Sequence, residues 1–297
     1  MLKLLENFQK MDRRWVFLGM ALMILIPLLF PFNIAFDEDK EVTALYEQVD
    51  TLEPGTPVLV STDFDPGSMP ELWPFFVANL HHLFIKDVKP VFVTLWPTSS
   101  PLVLPEINKV AKFHGKEYGK DYVFLGYKEG RELVIKNIGQ NFRKTFPKDY
   151  RGTSLNELPV LDGLQKAKDF PLIISVTAGF PGLNEYVLQI QGQYDLNMIG
   201  ACTAVSGPDY LPFFKSGQIK GLSMGIPGSA QYEQLVFKNY EDKLPNKSNI
   251  PSGQQIEPFV KMGAQGLNIL SLSHLFIIFL ILMGNVAYFI TKRVEEA

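Results

Sequence analysis

The central part of the chain alternates between short apolar runs and longer amphipathic segments. The apolar runs read PVLVST (57–62), which is β-branched, KPVFVTLW (89–96), YVFLGY (122–127), PLIISVTA (171–178), NMIGACTA (197–204) and KGLSMG (220–225). Short, continuously apolar runs of this kind are typical of strands that are buried on both faces of a sheet.

Amphipathic segments with helical periodicity separate these runs. They read PELWPFFVANLHHLFIKD (70–87), LPEINKVAKFHGK (104–116), RELVIKNIGQNFRKTF (131–146), LNEYVLQIQGQYD (183–195) and SAQYEQLVFKNY (229–240). Strands that alternate with helices predict a parallel sheet covered on both faces. We therefore expect an α/β fold with a Rossmann-like, doubly wound, mainly parallel sheet.

Two polar segments interrupt this rhythm. Residues 145–170 are rich in Pro, Gly and polar residues, and they are either an excursion or the join between two half-sheets. Residues 241–260 are polar and contain several helix breakers, so we expect a linker at the end of the α/β domain, which we place at 37–260.

Long uncharged segments lie near both ends of the chain. Residues 15–36 form a run of 22 uncharged residues, and no charged residue occurs from Met262 to Thr291. A helix needs about 20 apolar residues to cross a bilayer, so we predict transmembrane helices at 15–36 and 267–291. A cleaved signal peptide is the alternative for the first segment, but the run is long and no A-x-A-like site follows it.

Basic residues predict how these two helices are oriented. The terminal tails, 1–14 and 292–297, carry Lys3, Lys10, Arg13, Arg14, Lys292 and Arg293, whereas the inner flanks carry Lys40 and Lys261. Because cytoplasmic flanks are enriched in Lys and Arg, we expect both termini to be cytoplasmic. The protein would then be a multi-pass protein of the cytoplasmic (inner) membrane, with its central domain on the extracytoplasmic side.

The second predicted span carries a polar stripe. Its four members fall near one face of a helix, and they are Ser271, His274, Asn285 and Tyr288. Polar groups in a membrane usually face another helix or a cavity. We expect this stripe to pack against the first helix, or Ser271 and His274 to lie at the membrane interface.

Three strand-to-helix turns share a Pro-Gly pattern followed by an acidic residue. They are DFDPGSMPEL (63–72), GFPGLNEY (179–186) and GIPGSAQYEQ (225–234), with Glu71, Glu185 and Glu233 in the helices that follow. All such turns lie at the carboxyl edge of a parallel sheet, where open α/β sheets bind ligands. The candidates for a ligand or partner site are Asp63, Asp65, Gly67, Trp96, Thr98, Thr177, Gly179, Gly182, Gly225 and Gly228. The alternative is that Pro-Gly and an early Glu only serve the turn and the helix dipole.

Recognisable catalytic chemistry is sparse. Asp63 and Asp65 form a D-x-D that could hold a calcium or magnesium ion, but such a pair more often caps the following helix, so we predict no metal site. The chain has no G-x-G-x-x-G after its first strand, no P-loop, no G-x-S-x-G and no H-E-x-x-H. We therefore expect no cofactor.

Composition removes further classes of function. With Lys+Arg 28 against Asp+Glu 31, the chain lacks the basic excess of an electrostatic nucleic-acid binder. Cys202 is the single cysteine, which excludes an intramolecular disulfide and a cysteine-rich metal site.

Three hypotheses for the function remain open. The first is a non-enzymatic scaffold or accessory subunit of a membrane complex, whose partners are the lipid bilayer and other membrane proteins or a second copy (a homo-oligomer). The second is an extracytoplasmic module that binds a small solute or peptide for a transporter. The third is a hydrolase that uses Asp63 and Asp65. Two membrane anchors suit a complex subunit better than an enzyme for soluble substrates, so we favour the first.

Overall fold

Six short strands make up one sheet. They are β1 (Pro57–Asp63), β2 (Lys89–Thr94), β3 (Val123–Tyr127), β4 (Leu172–Thr177), β5 (Met198–Cys202) and β6 (Gly221–Met224). All neighbouring strands are parallel, and their order across the sheet is β3-β2-β1-β4-β5-β6. This is the doubly wound order of Rossmann-like folds. The predicted α/β class and the parallel sheet are confirmed.

The computed structural model describes residues 11–30, 32, 39–246, 248–250 and 258–295. Its α-helices are α1 (Arg13–Leu29), α2 (Lys40–Asp50), α3 (Met69–Ile85), α4 (Ser100–Phe113), α5 (Arg131–Thr145), α6 (Leu183–Tyr186), α7 (Gly192–Tyr194), α8 (Gly207–Lys215), α9 (Gly225–Tyr240) and α10 (Met262–Glu295). A π-helical turn, Val187–Gln191, joins α6 to α7, so the predicted helix over 183–195 forms with a bulge inside it.

Two apolar clusters cover the two faces of the sheet. Side chains of α2, α3, α4 and α9 pack on one face, and those of α5, α6, α8 and the 3₁₀ turns between α5 and β4 pack on the other. The segment 145–170 therefore belongs to the long crossover from β3, at one edge, to β4 in the middle of the sheet. Of the two possibilities for this segment, it is the join between the half-sheets.

Helix α2 lies outside the alternation from which the fold was predicted. It packs on the edge strand β6, where a Cβ atom at Gly221 would lie 2.2 Å from Cα of Leu45. Glycine permits this close approach, and the apolar side of α2, which includes Val42, Leu45 and Val49, is buried. The helix thus covers one edge of the sheet.

The chain divides into two units, Asp37–Gly263, which contains the sheet, and Met1–Phe36 together with Ala264–Ala297. The segment Met262–Lys292 of α10, most of which belongs to the second unit, is long and apolar enough to cross a membrane. It includes the predicted span 267–291. Helix α1 has 17 residues, which at 1.5 Å per residue give about 25 Å, less than a bilayer core of about 30 Å. Residues 31 and 33–36 of the predicted span 15–36 lie outside the described part, so the first span stays a prediction.

Helices α1 and α10 pack against each other in opposite directions. Gly19 lies against Phe276, because a Cβ atom at Gly19 would be 2.5 Å from Cζ of that ring. Beyond the C-terminal end of α1, the side-chain amide of Asn268 donates a hydrogen bond to the carbonyl oxygen of Phe32. The partner of Gly19 is Phe276, and the partner of the later residue Phe32 is the earlier residue Asn268. The two helices therefore run antiparallel.

Candidate functional site

Several of the candidate residues lie where the sheet reverses its winding. In this strand order, the crevice for ligands lies between the carboxyl ends of β1 and β4. Asp63 ends β1, Thr177 ends β4, and the two residues are paired in register. Trp96 follows β2 two residues after Thr94. The fold thus places these candidates at one edge.

Asp63 is fully buried and hydrogen-bonded within the protein. Its Oδ1 accepts from the backbone N–H of Leu95 at 2.6 Å, and its Oδ2 accepts from the Ser61 hydroxyl at 2.5 Å. Burial raises the pKa of this carboxyl group to about 7, although the hydrogen bonds from Ser61, Leu95 and Thr94 act in the opposite direction. The side chain therefore ties β1 to the segment after β2 and does not face the crevice.

Asp65 has a different set of partners. Its Oδ1 accepts from the backbone N–H of Ser68 at 3.1 Å and from the Ser68 hydroxyl at 2.9 Å, which stabilises the turn before α3. Among the residues that the structure describes, no group of three or more His, Cys, Asp or Glu side chains could hold a metal ion. Asp63 and Asp65 thus serve the strand end and the turn.

Trp96, Thr177, Gly179 and Gly182 come together at the ends of β2 and β4. The indole N–H of Trp96 donates to the carbonyl oxygen of Pro181 at 3.0 Å. The Thr177 hydroxyl donates to the carbonyl oxygen of Gly179 at 2.9 Å. A Cβ atom at Gly182 would lie 1.9 Å from Oγ1 of Thr177, so only glycine fits there. Trp96 and Pro181 line a pocket, and Thr177, Gly179 and Gly182 belong to the turn after β4 that holds Pro181.

This pocket, the Trp96 pocket, is open to solvent and has a volume of about 340 Å³. Its lining residues are Leu95, Trp96, Pro97, Tyr127, Glu129, Gly130, Arg131, Phe180 and Pro181. The guanidinium carbon of Arg131 lies 5.6 Å from the centroid of the Phe180 ring, which is 51% exposed. Aromatic faces beside a cation fit a small molecule that combines an apolar or aromatic group with an anionic group.

Of the nine residues that line the pocket, sequence reasoning named only Trp96, and three of those it missed carry the chemistry of the pocket. Tyr127 ends β3, Arg131 begins α5, and Phe180 lies inside the Gly-Phe-Pro-Gly turn after β4. A systematic search of the residues that follow each strand would have found all three. Thr98 and Gly67 are exposed and lie outside the lining of the Trp96 pocket.

Gly225 and Gly228 belong to a second cluster. They lie in the first turn of α9, which starts four residues before the predicted helix at 229. A Cβ atom at Gly225 would lie 2.7 Å from Cβ of Ala204, and one at Gly228 would lie 2.8 Å from Oγ of Ser223. Both glycines are sites of close packing between α9 and the strand ends.

The acidic residues of the three turns all accept backbone hydrogen bonds. Glu71 accepts from the N–H of Ala204 at 2.7 Å, Glu185 accepts from the N–H of Gly182 at 2.7 Å, and Glu233 accepts from the N–H of Gly263 at 3.0 Å. Each carboxylate satisfies a backbone donor. Only Glu185 does so within its own turn, whereas Glu71 and Glu233 bond to backbone 133 and 30 residues away.

A chain of polar side chains lies on the other side of the unit, among α2, α3 and α9. Asp50 accepts from Nε2–H of His82 at 3.1 Å, and Nδ1 of His82 accepts from the Tyr232 hydroxyl at 2.8 Å. Asn79 also donates to that hydroxyl, at 2.9 Å. Burial lowers the pKa of His82 to about 4 and raises the pKa of Tyr232 well above its usual value. The order Asp–His–Tyr resembles a catalytic relay, but Tyr232 is fully buried, so the chain of bonds holds helices together.

The polar stripe of α10 faces away from α1. His274, Asn285 and Tyr288 are exposed, and Ser271 is partly exposed. Nine residues separate Asn285 from Phe276, which packs against Gly19, and nine steps of about 100° amount to about 180° around a helix. The expectation that this stripe packs against the first helix is therefore wrong, because the stripe and α1 are on opposite sides of α10.

No family model, no curated protein and no solved structure matches this chain. Its function is therefore argued from the geometry of its own residues.

Proposed function

We propose that the protein is a non-enzymatic scaffold or accessory subunit of a membrane protein complex. The observation that carries the proposal is the outward-facing polar stripe of α10, in which His274 and Asn285 are exposed within an apolar helix. In lipid, such groups are stabilised when a neighbouring helix supplies hydrogen-bond partners. A stripe directed away from α1 suits a helix that packs within an assembly.

In this proposal α1 and α10 both cross the cytoplasmic (inner) membrane. The antiparallel packing of the pair supports a hairpin of two spans, in which Arg13 and Arg14 at one end of α1 lie on the same side as Lys292 of α10. Since basic flanks favour the cytoplasm, the α/β unit would lie on the extracytoplasmic side.

The hydrogen bonds at the carboxyl edge support a function without catalysis. Asp63, Asp65 and Glu185 are the groups from which a general base or a nucleophile would be drawn, and each accepts hydrogen bonds from its own surroundings. A catalytic carboxylate must reach its substrate within hydrogen-bond distance. Asp63 is fully buried and does not meet this condition.

The first test is to extract the tagged protein from its native membrane in a mild detergent, and to measure the mass of the particle and identify its components. We expect a defined particle heavier than one chain of 33.6 kDa with its detergent. An Asp65→Asn variant serves as the control and should give the same particle. A particle that contains a single chain and nothing else would contradict the proposal.

Labelling of introduced cysteines tests the orientation. Cysteines are placed singly at Met11, Asp39 and Lys292, and intact cells are treated with a reagent that does not cross membranes. We expect labelling at Asp39 alone, and labelling at the other two only after permeabilisation. Native Cys202 is fully buried and adds little background. If Met11 and Asp39 are labelled from the same side, α1 is not a span.

The Trp96 pocket favours a second candidate function, the binding of a small solute or peptide for a transporter. Its aromatic rings and Arg131 would hold an amphipathic anion. The test is thermal unfolding of the full chain in detergent with N-acetyl-tryptophan, N-acetyl-phenylalanine and N-acetyl-leucine. A ligand that binds only the folded protein raises Tm, and the rise grows with the logarithm of the ligand concentration above Kd. This candidate requires a rise that Arg131→Gln abolishes, and it fails if none of the three compounds raises Tm.

A further inference from the structure

The polar stripe of α10 is part of a longer heptad pattern. Alternating steps of three and four residues connect its members, which are Ser271, His274, Ile278, Ile281, Asn285 and Tyr288. Ile278, Ile281 and Tyr288 are 52%, 56% and 53% exposed, and His274 and Asn285 are exposed as well. A repeat of this kind forms a straight seam when two helices coil around each other with a left-handed twist.

We infer that this heptad seam binds the same seam of a second copy of the chain, so that two α10 helices form a parallel pair in the membrane. The inference rests on the proposed function and names the partner of the exposed stripe. Two copies inserted with the same orientation present their seams in the same direction. A two-fold axis along the pair then places each residue opposite its counterpart.

Asn285 favours a second copy over an unrelated helix. Its carboxamide has both donors and an acceptor, so two such groups facing each other across a two-fold axis satisfy one another. Asn285 takes the same heptad position as Ile278, seven residues further along the helix. A single Asn at such a position is known to specify register and favour two strands. His274 and Tyr288 also have groups that can donate and accept across the axis.

The side of α10 opposite the seam is already covered. Gly19 of α1 receives the ring of Phe276, and Ala287 on the same side is fully buried. The pairing of two copies through the seam therefore leaves the packing of α1 in place. Each copy would contribute one α1–α10 hairpin, with the two α10 helices in the centre.

Cysteine crosslinking in native membranes tests the seam. Ile281→Cys places a thiol in the seam, and Phe279→Cys places one on an exposed position outside it, since Phe279 is 53% exposed. We expect an oxidant to link Ile281→Cys into a species of twice the chain mass, and to leave Phe279→Cys as single chains. Equal linking of both variants, or no linking of either Ile281→Cys or a second seam variant, Ile278→Cys, would overturn the inference.

The second measurement concerns Asn285 itself. Asn285→Leu should raise the dissociation constant of the dimer in detergent by about 3- to 30-fold, and Asn285→Gln should restore much of the loss. An Asn285→Leu dimer as tight as the wild type overturns the inference. If both tests of the seam fail but the extracted particle still contains other proteins, the inference is wrong and the proposed function stands. If the wild-type particle contains a single chain and nothing else, both the inference and the proposed function are wrong.

Discussion

The hydroxyl group of Tyr232 lies 2.8 Å from Nδ1 of His82, where both side chains are fully buried. His82 belongs to α3 and Tyr232 to α9, and Asp50 at the end of α2 completes the chain of hydrogen bonds. Buried polar groups are costly unless they are paired, so this network specifies how the three helices meet. Its stability and its response to pH give two predictions.

Tyr232→Phe should lower the free energy of unfolding by about 1–3 kcal/mol, because it removes the partner of both His82 and Asn79 from a buried position. Tyr240→Phe is the matched control. The Tyr240 hydroxyl donates to Asp50 at 2.6 Å and so belongs to the same network, but Tyr240 is partly exposed. We expect the control to lose less unfolding free energy than Tyr232→Phe. The measurement is urea-induced unfolding of the full chain in detergent, and equal losses in the two variants would contradict a buried network.

Acid should destabilise the protein through its buried histidines. Burial lowers the pKa of His82 and His114 to about 4, while a histidine in an unfolded chain titrates near pH 6.5. As the pH falls from about 6.5 towards about 4, the unfolded chain therefore binds protons before the folded protein does. Each of these histidines then lowers the free energy of unfolding by up to about 1.4 kcal/mol per pH unit. Urea unfolding at several pH values should show a shallower decline in His82→Gln than in wild type. Parallel profiles would mean that His82 is not buried in its neutral form.

Asp63 should act in the opposite direction. Its pKa of about 7 in the folded state is above its unfolded value of about 3.8, so its stabilising contribution is complete below about pH 3.8 and is lost as the pH rises through about 7. Asp63→Asn resembles the protonated form. As the pH rises from about 4 to about 7, the free energy of unfolding of this variant should increase relative to that of wild type by up to about 1.4 kcal/mol per pH unit. The difference in unfolding free energy between the two proteins, measured against pH, checks this. A constant difference would show that Asp63 does not titrate in this range.

Glycine substitutions should distinguish the Pro-Gly turns. Gly182→Ala would bring Cβ within 1.9 Å of Oγ1 of Thr177 and 2.4 Å of the carbonyl oxygen of Gly179, so it should cost about 1–3 kcal/mol or more. Gly67→Ala, in an equivalent turn, meets only Oδ1 of Asp65 at 3.4 Å and should stay within about 0.5 kcal/mol of wild type. Urea unfolding of the two variants is the measurement. A tolerated Gly182→Ala would show that the turn after β4 can move, and with it the wall of the Trp96 pocket.

The alternation of apolar strands and amphipathic helices was sufficient to predict the fold class and all six strands. Helix α2 was missed, because it lies before the first strand and its role is to cover β6 through a close approach of Leu45 to Gly221. The site was predicted in part. Trp96, Thr177, Gly179 and Gly182 meet as neighbours at one edge, but Gly225 and Gly228 serve a different cluster, since β6 lies three strands away from β1 in the sheet.

The sequence by itself determined what depends on local pattern, which is the α/β class, the parallel sheet, and a C-terminal helix apolar enough to span a membrane. Periodicity and hydropathy are properties of neighbouring residues, and for that reason they can be interpreted without a fold. Only the tertiary structure decided which polar groups are used internally, as with Asp63 and the Asp50–His82–Tyr232 chain, and that the stripe through Asn285 faces away from α1. Those facts depend on contacts between residues far apart in the chain, which the folded arrangement alone brings together.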